Sequence, residues 1–221
     1  MFRDRADGGR QLARLLRESW RAGHLAHPLV LALPRGGVPV AAEVAQSLAA
    51  PLDVLVVRKV EVPDHPELGV GAVSGDRPAL LDRDLMARLG LSETDLAQRV
   101  ALERDQVRRL EDRYRRGRPE PRLAGHSVVL VDDGVATGVT ARAAAALVRS
   151  ARPARVVLAV PVGAAEALRA LGRVVDEVVA VRRPAHFSSV GEWYQDFHQL
   201  GDAEVVRLLE RTRQQLTPTP R

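Results

Sequence analysis

Residues 128–140 read VVLVDDGVATGVT. The four leading apolar residues form a short buried strand, and two adjacent carboxylates, Asp132 and Asp133, stand at its end. The turn that follows carries Gly134 and Gly138 with the hydroxyls of Thr137 and Thr140, and it opens a helix. Backbone N–H groups at a helix start attract anions, and hydroxyls beside them add donors. Carboxylates one strand-end away accept hydrogen bonds from vicinal hydroxyls. A phosphorylated sugar suits this pairing. A nucleotide-binding P-loop would need lysine directly after the second glycine, where Val139 stands, and a dinucleotide fingerprint needs three glycines where this turn has two. A bare strand-turn-helix explains each residue singly but not the coincidence of acids, turn and hydroxyls.

Outward from this stretch, short apolar runs alternate with helical patterns. Residues 28–33 (PLVLAL), 52–57 (LDVLVV), 127–131, 155–160 and 174–181 read as buried strands. Residues 10–21, 38–50, 139–149, 164–171 and 202–213 read as helices, and residues 217–221 as a frayed end. Ser92 with Asp95 three residues on marks a helix start, and Leu96, Val100, Val107, Leu110 and Tyr114 give that helix an apolar stripe to about residue 116. Residues 61–78 are rich in glycine, proline and acids without a clear period, so a long mobile loop is expected. Continuously apolar strands alternating with helices predict an α/β fold on a parallel sheet covered on both faces. Ligands of such sheets sit at the carboxyl ends of the strands. Pro34-Arg35-Gly36-Gly37, Arg58-Lys59 and residues 132–140 all fall there.

Composition narrows the class. The 221 residues suit one domain spanning 1–221, and the absence of cysteine excludes thiolate metal sites and cysteine nucleophiles. No apolar run is long enough for a bilayer, and a charged start unlike a signal peptide adds to the expectation of a cytoplasmic protein. The net charge of +5 suits anionic ligands without separating nucleic acid from small phosphates. Lys59 is the one lysine among 33 basic residues, which singles it out at its strand end.

Residues 128–140 resemble the phosphoribosyl-pyrophosphate signature of the type I phosphoribosyltransferases, and the resemblance runs in family order from about residue 31 to 197. It implies a parallel-sheet phosphoribosyltransferase core with a mobile flap at about 61–78, a helical insertion at about 82–124 and a C-terminal hood at about 185–215. It implies that Asp132 and Asp133 bind the ribose hydroxyls, and that Ala136, Thr137, Gly138, Val139 and Thr140 cradle the 5′-phosphate. Arg35, Gly36 and Gly37 match the pyrophosphate loop, where a non-proline cis peptide is often found. Arg58 and Lys59 match a basic pair facing pyrophosphate, and with Arg35 they form the implied catalytic set. His65 lies in the flap, where it could reach pyrophosphate. Mg²⁺ is implied as a cofactor held mainly by phosphoribosyl pyrophosphate (PRPP), with no metal ligand assigned to the chain.

Two departures bear on the acceptor. Gly134 replaces the family's aliphatic residue, which should loosen the turn. Ala136 stands where hypoxanthine-guanine members carry an acid near the purine, so the acceptor is left open. Four of the seven aromatic residues lie within residues 187–197. Trp193, Tyr194, Asp196 and Phe197 there resemble a base-contacting hood, though such rings can equally pack the C-terminal helix on the sheet. The expected activity is transfer of ribose 5-phosphate from PRPP to a nitrogen acceptor, a nucleobase, by a homo-oligomer. The alternative is a non-catalytic, PRPP- or nucleotide-sensing regulator that binds RNA or DNA through the arginine-rich stretch 99–118. A phosphatase or kinase using Asp132 is disfavoured by the missing P-loop lysine. Within the arginine-rich stretch, Asp105/Arg109, Glu111/Arg115 and Asp112/Arg116 are spaced to pair along the helix.

Overall fold

A computed structural model describes residues 1–62 and 65–216, with the side chains of residues 65–67 outside that description. In chain order the elements are α1 (Arg5–Arg21), β1 (Pro28–Ala32), α2 (Gly37–Leu48), β2 (Leu52–Val54), β3 (Arg58–Val62), β4 (His65–Val73) and β5 (Leu80–Leu81). They continue as α3 (Arg83–Leu89), α4 (Glu93–Arg115), β6 (Ser127–Val131), α5 (Val139–Ser150), β7 (Arg155–Val162), α6 (Ala165–Leu171), β8 (Glu177–Arg182) and α7 (Asp202–Leu216).

Five strands form a parallel sheet in the order β2-β1-β6-β7-β8. Strand alternation supplies both faces of the core. Val30, Ala32, Val129 and Val131 point toward α1, α2 and α7, while Leu29, Leu31, Val128 and Leu130 point toward α5 and α6. Neither face of β6 meets water, which is why its sequence after Ser127 is uniformly apolar. The chain reverses its winding between β1 and β6, which pair along their full length with Ala32 opposite Val131. That switch point opens a crevice at the carboxyl ends of the two strands. Leu33 donates to the Val131 carbonyl at 2.8 Å, so the turn after β1 and the acids after β6 leave the sheet level with each other.

The expected loop at 61–78 is corrected by the structure. It holds most of an antiparallel hairpin, β3 with β4, extended by the edge strand β5. Val60, Val62, Val70 and Val73 bury themselves in the same core as Leu96 and Val107 of α4. Glycines at 69 and 71 and two register shifts around Glu61 blur the two-residue period. The second strand is also shorter than expected, ending at Val54. Helix α1 starts at Arg5 rather than residue 10, capped by Asp4, whose carboxylate accepts from the Asp7 amide at 2.6 Å. The stretch 82–124 contains two helices, α3 and α4. Ser92 and Asp95 form the expected reciprocal capping box. Residues 217–221, read as frayed, lie outside the described residues.

Candidate active site

The turn after β6 is anchored before it is functional. Val135 donates to the Val162 carbonyl at 3.0 Å and accepts from the Ala164 amide at 2.8 Å, which ties the turn to the end of β7. Ala136, Thr137, Val139 and Thr140 are exposed around this anchor. Gly138 lies at φ 78°, a left-handed conformation that lets the chain swing directly into α5. No side chain caps α5, so its first amides face the open turn. Gly134, expected to loosen the turn, instead leaves space that Val190 fills: a Cβ there would lie 2.5 Å from Val190 Cγ1.

Asp132 and Asp133 sit in the crevice. The Asp133 amide donates to Asp132 Oδ1 at 2.9 Å. Burial pushes both carboxyls above their ordinary range; the neighbouring Asp133 charge raises Asp132 further, while Arg5 pulls Asp133 back. Arg5 Nε donates to Asp133 Oδ2 at 2.8 Å, an ion pair whose side chains are only 9% and 14% exposed. Breaking so enclosed a pair from one side costs about 3–5 kcal/mol, whereas surface pairs are worth ~0–1 kcal/mol. The Gly36-Gly37 turn closes against these acids. A Cβ at Gly36 would fall 2.1 Å from Asp133 Oδ2, and one at Gly37 would fall 2.5 Å from the Val131 carbonyl oxygen. The structure therefore brings Gly36, Gly37, Asp132 and Asp133 together. The Pro34–Arg35 peptide is cis, as the resemblance anticipated, and Arg35 is exposed beside it.

Arg58 and Lys59 part company. Consecutive strand residues point to opposite faces. Arg58 turns to α4 and donates to the buried Glu103 at 2.9 Å. Lys59 lies 3.3 Å from Glu61, its stem packed on Gly69. It lines a 540 Å³ cleft between the hairpin and α5, together with Val139 and Arg142. The expected basic pair is thus split, with Lys59 on the side of the turn after β6. His65 falls outside the described side chains.

At the hood, Tyr194 is buried and its hydroxyl donates to the Asp133 carbonyl at 2.6 Å. Phe2 packs at 5.3 Å from the Tyr194 ring, Phe197 stacks on it at 5.2 Å, and the Arg5 guanidinium lies 3.8 Å over Phe197. Trp193 is half-buried and Asp196 exposed, the latter accepting from the His198 amide. Packing is therefore the evident work of Tyr194, while Phe197 stacks on it and stays exposed. Sequence reasoning missed Phe2 and Arg5. The first residues pair with the hood through Phe2 to the Trp193 carbonyl at 2.7 Å and Gln195 to the Phe2 carbonyl at 2.9 Å. The signal available was Asp4, a helix cap that moves Arg5 into an ordered first turn.

An uncapped helix-opening turn, a part-buried pair of acids and a glycine turn against them at a sheet switch point form the backbone arrangement that the resemblance described. The model of the phosphoribosyl transferase domain matches residues 4–181. The chain belongs to this family. A Mycobacterium tuberculosis protein provisionally named a phosphoribosyl transferase is 47% identical over 215 residues, in each of two strains. That match covers 96% of this chain but 47% of the mycobacterial protein, so the chain spans about half the length of the curated relatives it matches. A crystal structure of a Thermus thermophilus protein is 42% identical, with a TM-score of 0.85 over 96% of this chain and 98% of that one.

Within this phosphoribosyl transferase fold, several arginines on and beside α4 pair with acids of the same chain. Arg108 pairs with Asp76 at 2.7 Å, Arg109 with Asp105 at 2.5 Å, and Arg115 with Asp53 and Glu111, each at 3.3 Å. Arg113 reaches Asp202 of α7. Arg116, expected to pair with Asp112, instead reaches Glu210 of α7 at 2.6 Å. Tertiary packing brings a closer acid than the helix itself offers. No helix among the described residues is long and apolar enough to cross a membrane.

Proposed function

We propose that this phosphoribosyl transferase moves ribose 5-phosphate from PRPP to a ring nitrogen of a nucleobase, releasing pyrophosphate. The supporting observation is the contact of Gly36 and Gly37 with Asp132 and Asp133, which joins a pyrophosphate turn to a ribose diacid. In this reading the bond from C1′ to the pyrophosphate oxygen breaks as the acceptor nitrogen lone pair bonds to C1′. Charge develops on the leaving pyrophosphate and on the sugar ring. Arg35 and Lys59 stabilise the first, and the diacid holds the sugar hydroxyls. The amides from Ala136 to Thr140 and the hydroxyls of Thr137 and Thr140 hold the 5′-phosphate. Arg58, neutralised by Glu103, acts by fixing the hairpin to α4.

No group of three or more metal-ligating side chains occurs among the described residues, and Asp132 and Asp133 stand together at the switch point. That donor set fits a Mg²⁺ ion held mainly by substrate oxygens, which would neutralise pyrophosphate charge when bound. The intramolecular pairing of the α4 arginines supports a small-molecule reading over nucleic-acid binding.

Pyrophosphate release from PRPP with Mg²⁺, screened over a panel of nucleobases, tests the reading. Turnover with at least one base is expected. No turnover with any base, together with tight and steeply salt-dependent RNA binding, overturns it in favour of a regulator. Asp132→Asn with Asp133→Asn should abolish PRPP binding by calorimetry while the circular dichroism spectrum stays unchanged.

A further inference from the structure

We infer that Arg5 is a positioning residue of the ribose site, fixing the Asp133 carboxylate from the first helix and tying the C-terminal hood to it. The inference rests on the phosphoribosyl transfer proposed above. Arg5 is buried, and its guanidinium has three partners on two separate segments. Nε donates to Asp133 Oδ2 at 2.8 Å, Nη1 donates to the His198 carbonyl at 2.9 Å, and Cζ lies 3.8 Å over the Phe197 ring. A planar fork suits this division, because each nitrogen has a fixed direction.

The position of Arg5 is itself determined. Asp4 caps α1 through the Asp7 amide, which sets Arg5 in the first turn. Phe2, two residues before the cap, is bridged to Tyr194, and the Tyr194 hydroxyl reaches back to the Asp133 carbonyl. The N-terminal segment and the hood thus grip Asp133 by its side chain and its backbone together.

The consequence lies at one oxygen. Asp133 Oδ2 is held by Arg5 and abuts the Cα of Gly36, so it sits between the guanidinium and the pyrophosphate turn. Oδ1 stands farther off, 3.1 Å from where a Gly36 Cβ would be, and is the oxygen left to accept from a sugar hydroxyl. The charged and titratable groups around this carboxylate are Asp132 on the same turn, Arg5 from α1 and the Tyr194 hydroxyl from the hood. Arg5 is the cation among them, and it opposes burial in keeping Asp133 ionised.

Steady-state pyrophosphate release by the full chain, wild type against Arg5→Met and Arg5→Lys, over a pH series provides the test. Arg5→Met should raise KM for PRPP roughly tenfold or more, the effect of losing a charge-assisted hydrogen bond. The acid limb of its kcat/KM profile should move to higher pH, because Asp133 loses the cation that favours its ionised form. Arg5→Lys should return the limb toward wild type while recovering only part of the affinity, since an ammonium cannot serve three directions. Thermal unfolding of each variant over the same pH series shows where it stays folded, and the limb is read only within that range, so acid unfolding does not mimic it. An unmoved limb in Arg5→Met, whatever its KM, overturns the inference alone. A wild type without turnover overturns the transferase reading and this inference with it.

Discussion

Gly36 shows how much a single missing side chain decides. Its Cα rests on the Asp133 carboxylate, and the 2.1 Å separation for an added Cβ is far inside any tolerated contact. In Gly36→Ala the acid must swing away or the turn must lift. Strain of this kind costs about 1–3 kcal/mol, so PRPP affinity by calorimetry should fall by roughly tenfold to a hundredfold. A variant with wild-type affinity would mean that the turn and the diacid do not act on one ligand. The residue types at 35–37 and 132–133 were legible in the sequence because backbone turns and paired acids leave a local signature. Arg5 was not. It lies 128 positions from Asp133, and nothing in an Asp-Arg pair at the start of a helix indicates its partner.

At the scale of elements, α5 and α4 report different things when their starts are damaged. Gly138 adopts φ 78° at the start of α5, and a Cβ there would come within 3.0 Å of Leu171 Cδ1. Gly138→Ala should lower stability by ~1–2 kcal/mol and weaken ribose 5-phosphate binding in the same calorimetric assay. Ser92→Ala, which removes the capping box of α4, should cost about 1 kcal/mol in denaturant unfolding and leave ligand affinity unchanged. Affinity lost in both variants alike would indicate general destabilisation rather than a local phosphate cradle. The helices were readable because caps and apolar stripes are local. The β3–β4 hairpin was not, because its stability comes from valines packed on α4, a partner that follows it in the chain.

Across the whole molecule, the packing of α4 on the hairpin exit and β2 leaves an electrostatic mark. Burial pushes Glu111 up to about 7, with Arg115 opposing and Glu120 and Asp53 adding to the rise. Below its ordinary value of 4.5 the group is protonated in both the folded and unfolded chain. Between that value and about 7 only the folded chain holds the proton, so stability falls as pH rises through this window. At ~1.4 kcal/mol per pH unit the loss is on the order of 3 kcal/mol. Glu111→Gln should therefore be more stable than wild type at pH 8 and nearly equal to it in mild acid, by thermal unfolding across the series. A difference that does not grow with pH would place Glu111 in contact with water in the folded protein.

The sequence by itself determined the alternation of buried strands and helices, the diacid at the end of its strand and the glycine-bearing turn that opens a helix after it. These depend on periodicity, caps and backbone-accessible glycines, all of which act over a few residues. Tertiary structure alone decided that Arg58 and Lys59 face different ways, that Val190 fills the space at Gly134, and that Tyr194 and Phe197 are held by Phe2 and Arg5. Each of those outcomes joins groups far apart in the chain. Their free energy comes from burial and charge pairing across the closed fold, which no local pattern encodes.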